Sequence, residues 1–300
     1  MLSRKFVYHV ACWVLLSAPS TSADITVIDD AGDALSLDQP ARRIVSLAPN
    51  ITELLFFVGA GQFIVGADEH STYPEQAKWI PRVSNHAVAN YEVILSVKPD
   101  LVIAWQLGNG AAMVNRLRQL KLPVFVIEPR SMSSIPQLIT RFGKLTGQED
   151  KAHQKASQFI ERENRLRAHY SGLPTVRVFY QVWSEPLITF SGKHLASSVI
   201  KLCGGENIFA TALPMVPHVS IEAIVKAAPQ AIIASGNNRE APQWLEQWQA
   251  WPSIPAVANS QVYAIPPDLM QRHSMRLLDG AAQLCTYLQQ ARSAAVPLAH

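Results

Sequence analysis

The sequence predicts an α/β protein of two lobes joined by one long helix. Three observations carry this reading. Short apolar runs alternate with stretches of helical spacing. Residues 148–171 form an unbroken charged stretch without proline or glycine, and a helix–proline–strand pattern in the first half recurs in the second. A chain of 300 residues also carries a prior of about two domains.

Ahead of the first lobe, Arg4 and Lys5 precede the apolar stretch Phe6–Leu16 and a small-residue run ending Thr21-Ser22-Ala23. That order reads as a secretory signal cleaved after Ala23, because the apolar run falls short of the ~20 residues that span a bilayer. Residues 1–23 are then a signal peptide and 24–147 the first lobe. Within that lobe Arg43–Leu47 reads as a buried strand, and Asn50 three residues before Glu53 as a capping box opening a helix that Gly59 closes. Leu101–Ala104 and Val124–Glu128 are further strands, separated by a helix over 109–122 with Met113, Leu117 and Leu120 on one face.

Residues 148–172 are expected to form the connecting helix. Ala152, Ala156, Phe159, Ile160, Leu166 and Tyr170 make its apolar stripe, and Glu161–Arg165 and Glu163–Arg167 are favourable i,i+4 pairs. The α/β pattern restarts at Val176–Val182, so 173–300 form the second lobe. Tyr91–Ala104 aligns without gaps to Ile221–Ala234, matching Glu92 to Glu222, Ile94 to Ile224 and Pro99 to Pro229. Two similar lobes on one helix leave a cleft, a favoured place for ligands.

Composition narrows the function. The chain holds 26 basic and 23 acidic side chains with no basic run, so it lacks the electrostatic footprint of a nucleic-acid binder. No nucleophile elbow, phosphate loop, H-E-x-x-H or C-x-x-C occurs, which favours a binder over an enzyme. With Cys12 in the removed segment, Cys203 and Cys285 remain. An even count in an exported chain favours a disulfide contributing roughly 4 kcal/mol, the alternative being two buried thiols.

The ordered set Arg43-Ile44-Val45-Ser46-Leu47-Ala48-Pro49-Asn50-Ile51-Thr52-Glu53, Val65-Gly66, Tyr73-Pro74, Lys98-Pro99-Asp100-Leu101-Val102-Ile103-Ala104-Trp105 and Cys203-Gly204-Gly205-Glu206-Asn207-Ile208-Phe209 resembles a known family. It is that of the helical-backbone metal receptors, periplasmic substrate-binding proteins of ABC importers for cobalamin, haem and iron–siderophores. Trp105 and the cysteine pair resemble its cobalamin-binding members. The resemblance implies two Rossmann-like α/β lobes bridged by one long rigid helix, with the ligand cleft between them. It implies a periplasmic, monomeric, non-enzymatic carrier that needs no cofactor. Its cargo would be a corrinoid, with haem or a ferric siderophore as the alternative, and its partner an ABC permease dimer with its ATPase subunits.

By the same resemblance Glu92 and Glu222 would dock on the permease, Asp268 and Arg272 would orient the ligand, and Trp105 would cover part of its face. His70 and His86 stand where aromatic residues are expected, and Val216 replaces a tryptophan. A neutral imidazole suits Fe, Co, Ni or Cu, so His70 or His86 could be an axial metal ligand. Each could equally hydrogen-bond the ligand or face water. His218 and His273 near the rim are further candidates, and Tyr91, Trp183, Met215 and Met270 could add apolar wall or belong to the core. The rival readings are an exported metal-dependent enzyme using His70 and His86 with Asp68 or Glu69, and a signalling module.

Overall fold

The computed structural model describes residues 24–85, 88–236 and 241–294. The expected signal peptide with its Ala23 cleavage site, and His86, lie outside the described residues. Among those described, no helix is long and apolar enough to cross a membrane.

The first lobe runs β1 (Ile25–Ile28), β2 (Ala34–Leu37), β3 (Ile44–Ser46), α1 (Pro49–Phe57), β4 (Ile64–Asp68), β5 (Arg82–Asn85), β6 (Val88–Ala89), α2 (Tyr91–Ser96), β7 (Leu101–Trp105), α3 (Gln106–Gln119), β8 (Val124–Ile127) and α4 (Ser134–Thr146). Its main sheet has the order β6-β5-β4-β3-β7-β8, parallel except for β6, while β1 and β2 form a separate hairpin. β8 is apolar and buried along its whole length, and so is β7 up to Ala104. Such runs mark parallel strands covered on both faces.

Helix α5 (Glu149–Tyr170) follows α4 and packs along it. The approach is close at Gly143, where an added Cβ would stand 2.3 Å from the Ala152 Cβ. Ala152, Ala156 and Phe159 are buried, but Ile160 is 45% exposed, so the apolar stripe is narrower than its spacing suggests. The Glu163–Arg167 ion pair forms on the polar side, and Glu161–Arg165 stands at 4.0 Å.

The second lobe continues β9 (Val176–Ser184), β10 (Leu187–Thr189), α6 (Leu195–Leu202), β11 (Gly205–Asn207), α7 (Ile221–Ala227), β12 (Ala231–Ala234), α8 (Ala241–Gln247), α9 (Pro255–Ala258), β13 (Val262–Ala264), α10 (Pro267–Met270) and α11 (Leu277–Ala294). Its sheet is β10-β9-β12-β13, and β11 pairs with the first residues of β9. One core cluster runs from α1, α4 and the β7 face through Phe159 to β9, α6 and α11, so α5 shares its apolar side with both lobes. The outer faces hold separate cores, around Val45, Ile94 and Leu117 in the first lobe and around Phe179, Ile232 and Trp248 in the second.

Cys203, at the end of α6, is disulfide-bonded to Cys285 on α11 across a sequence separation of 82, with the Cα atoms 4.7 Å apart. Arg292 adds a second tie between these segments, donating to the carbonyls of Cys203 and Pro174.

The internal repeat extends to details that residue matching alone does not show. Asn90 Oδ1 caps α2 through the Val93 N–H at 3.1 Å, and Ser220 Oγ caps α7 through the Ala223 N–H at 3.3 Å. The turn after each helix puts a non-glycine residue at positive φ, Lys98 at 45° and Ala228 at 44°. Arg43 and Arg177 donate to the carbonyls at these two helix ends.

The expected capping box is not formed. Ala48 is the N-cap of α1 and makes no side-chain cap bond, while Pro49 opens the helix. Proline at the first helical position supplies the start by its fixed φ, which leaves Asn50 and Glu53 inside the helix. Both are buried.

Candidate ligand-binding site between the lobes

Glu53 is the centre of a polar bridge from the first lobe to the second. Its carboxylate is 2% exposed and accepts from Arg272 Nη1 at 2.9 Å, Arg276 Nη1 at 3.3 Å and Ser274 Oγ at 2.6 Å. Arg272 also pairs with Asp268 one helical turn earlier, at 3.0 Å, and its Nη2 reaches the His70 carbonyl at 3.4 Å. The Arg276 guanidinium lies 4.1 Å from the centre of the Tyr73 ring. A buried carboxylate is tolerable only with such partners. Here all of them come from the opposite lobe, from the segment between α10 and α11.

Beside this bridge lies a cavity of about 240 Å³ with walls from both lobes. Strand order reverses on either side of β3, with β4 on one side and β7 on the other. The carboxyl ends of strands at such a switch point form a natural crevice, and Trp105, Glu128 and Arg130 enter the cavity from the ends of β7 and β8. Phe190, His194, Met215, Val216 and His273 face them from the second lobe. Trp105 is braced from below: its backbone N–H donates to Asn109 Oδ1 at 2.8 Å, and Asn109 Nδ2 donates to the Leu47 carbonyl at 2.9 Å. Its ring lies against Gly108, where a Cβ would come within 2.3 Å of it.

The cavity floor is aromatic and uncharged. His194 stacks on Phe190 with ring centres 3.5 Å apart, and His273 sits 6.0 Å from His194 and 5.7 Å from Trp105. His194 Nδ1 accepts the Ala196 N–H at 3.1 Å and caps α6, so in the neutral ring the proton is on Nε2. Burial pushes His194 down to about 3, with the nearby His273 adding to it, and burial alone pushes His273 down to about 4. Both imidazoles are therefore neutral at pH 7.

These depressed values predict acid sensitivity. Below pH 6.5, their ordinary value, the unfolded chain takes up protons that the folded chain refuses until about pH 4 or lower. The contribution is thus fully present above pH 6.5 and is lost as pH falls toward 4. A thermal melt should drop steeply between pH 7 and pH 4.5, and a His273→Phe variant should show a shallower drop. An unchanged slope in the variant would assign the acid effect to other groups.

The residues singled out by sequence are distributed unevenly. Trp105 and Val216 line the cavity, as do Met215 and His273. Arg272 and Asp268 stand in the bridge beside it. His70 follows β4 with its side chain 60% exposed and its Nδ1 3.6 Å from Asp68 Oδ1. No group of three or more His, Cys, Asp or Glu side chains placed to hold a metal occurs among the described residues. Met270 belongs to the core, and Trp183 packs against Trp244 away from the cavity. Glu92 and Glu222 are exposed in the first turns of α2 and α7. The Glu222 carboxyl is held below its ordinary range by its own backbone N–H at the helix start and by the Ser220 hydroxyl. Glu53 and His194 went unrecognised as site residues in the sequence. The only signal for His194 was its place just before the apolar helix Leu195–Leu202.

Two wound α/β lobes, a shared helix and a bridged cleft define a class of ligand-capturing proteins. The chain belongs to the periplasmic binding protein family, whose model matches residues 44–269. It is 38% identical over 254 residues to the vitamin B12-binding protein of Vibrio cholerae serotype O1, covering 84% of this chain and 91% of that one. It is 36% identical over 261 residues to the vitamin B12-binding protein of Yersinia pestis, covering 87% and 90%. The crystal structure of the periplasmic vitamin B12-binding protein BtuF of Vibrio cholerae superimposes with a TM-score of 0.79, covering 84% of this chain and 98% of that one at 38% identity.

Proposed function

We propose that this chain is the substrate-binding component of an ABC importer, capturing cobalamin or a related corrinoid between its lobes and delivering it to a permease. One observation carries the reading. A cavity walled by Trp105, Phe190, His194 and His273 lies between the lobes of a chain 38% identical to a vitamin B12-binding protein over 91% of that protein's length. Aromatic faces supply large contact area to a flat macrocycle. In this reading the chain works in the periplasm after loss of its leader, acts as a monomer and does no chemistry on its cargo.

The cavity of about 240 Å³ is below the ~300–1,000 Å³ of sites for drug-sized ligands, so a corrinoid requires the lobes to part. Parting breaks the Glu53 bridge and frees Arg272, with Asp268 beside it, to orient the ligand. Trp105 then covers part of the macrocycle. His70, whose carbonyl already meets Arg272, stands where an imidazole could reach the ligand edge or its metal. Glu92 and Glu222, matched in the repeat and exposed on both lobes, would dock on cationic pockets of the permease dimer.

The test is to incubate apo-protein with cobalamin, cobinamide, haemin and several ferric siderophores, following visible spectra and tryptophan fluorescence. Saturable binding of corrinoids at one per chain is expected. A haemin Soret shift with no corrinoid response would overturn the choice of ligand.

A further inference from the structure

The internal repeat does more than place two glutamates. In each lobe a short segment pairs antiparallel just before the helix that carries the glutamate: β6 with β5 ahead of α2, and His218 with Ile188 of β10 ahead of α7. The first four residues of the two helices then share one order of burial. Tyr91 and Ile221 are half-buried, Glu92 and Glu222 exposed, Val93 and Ala223 half-buried, and Ile94 and Ile224 buried. A hollow opens beside each helix start. Matched residues line both: Ala89 with Val219, Asn90 with Ser220, and Tyr91 with Ile221.

The two hollows differ in chemistry. That of the first lobe, about 810 Å³, has Glu69, Arg82 and Arg116 in its walls. That of the second, about 490 Å³, has Leu187, Trp248 and Trp251 instead. Its floor is held in place, because the 3%-exposed Trp248 donates from Nε1 to Gln181 Oε1 at 2.8 Å and meets the Phe179 ring edge-on. Trp251 in its wall is 38% exposed. Tryptophans at well-packed apolar pockets are prominent among the residues that carry the energy of an interface.

We infer that the second-lobe hollow is an apolar socket for the permease, filled by a nonpolar side chain of the same permease segment that offers a cation to Glu222. This rests on the docking reading above. Ile221 of the socket and Glu222 are consecutive in the first turn of α7, so a segment that reaches the carboxylate lies over the hollow. Charge at Glu222 steers the approach, and apolar area buried against Trp251 holds the complex once it has formed. None of the residues lining the hollow lines the interlobe cavity, so docking through it is separable from capture.

Two variants test the socket. Trp251→Ala removes part of its wall, and Ser184→Trp fills it from the end of β9 without removing a contact. Each is measured for cobalamin affinity by equilibrium dialysis, for melting temperature and periplasmic level, and for uptake of radiolabelled cobalamin at limiting concentration in cells carrying it in place of the parent. Both should lower uptake at least ~10-fold while cobalamin affinity stays within about twofold of the parent. If Trp251→Ala melts early or accumulates poorly, Ser184→Trp alone decides. Normal uptake with Ser184→Trp, beside an inactive Glu92→Lys and Glu222→Lys double variant, would overturn the socket and leave the docking reading intact. A parallel loss of cobalamin affinity in Ser184→Trp would assign the hollow to capture and overturn it as well. Normal uptake with the double variant would overturn the docking reading and the socket with it. Sedimentation of the parent checks the other occupant: a dimer that Ser184→Trp dissociates would give the hollow to a second copy of this chain, against the inference.

Discussion

Replacing Glu53 with alanine should destabilise the protein by about 3–5 kcal/mol, because two mostly buried guanidinium groups lose their shared counter-charge, which leaves Arg272 only its pair with Asp268. For a chain of this size that is a loss of roughly 5–8 °C in Tm. The cause is desolvation rather than lost attraction. Arg272 and Arg276 side chains are only 16% and 20% exposed, so water cannot take the carboxylate's place while the lobes stay together. Adding Arg272→Leu to Glu53→Ala should therefore recover part of the loss, since the second change removes one of the two cations that Glu53 had balanced. Thermal melts of the three proteins check this. A single variant within about 1 °C of the parent would mean that the bridge contributes nothing to holding the lobes.

The double charge reversal Glu92→Lys with Glu222→Lys should abolish uptake in cells while leaving ligand affinity within about twofold of the parent. Both carboxylates are exposed at helix starts and neither lines the cavity. A lysine in a first helical turn opposes the helix dipole and costs only ~0.3–1 kcal/mol at each site. The folded protein should therefore survive the change, whereas like charges facing a cationic permease pocket repel. Uptake in a strain carrying the variant, set beside dialysis on the purified protein, separates docking from capture. Preserved transport would remove these residues from the docking surface.

The architecture was legible because it is written in local pattern. Apolar runs such as Leu101–Ala104 and Val124–Ile127 are buried on both faces and need no context to be read as parallel strands. The long helix was visible in its charge and its lack of breakers, although Ile160 shows that an apolar residue at the right spacing need not be buried. The repeat located Glu92 and Glu222, but only backbone geometry shows that the turns at Lys98 and Ala228 match as well.

The site was less legible because its parts are remote in sequence. Glu53 has the spacing of a capping residue, but Pro49 opens the helix and the partners of Glu53 lie more than two hundred residues away. His194 and His273 lie far apart in the sequence of the second lobe and meet only once that lobe is folded, and neither carries a local motif. Arg272 was expected to face the ligand, and in this structure it binds Glu53 and Asp268. Residue type and spacing pointed to the right segment, but not to the partner its charge would choose.

Hydrogen exchange with and without bound cobalamin tests the central claim most directly, since the cargo is held to sit between the lobes. Amides at 105–109, 190–196 and 270–276 should slow together on binding, placing the ligand against both halves of the chain at once. Slowing confined to one lobe, or to surfaces away from these three segments, would contradict the account.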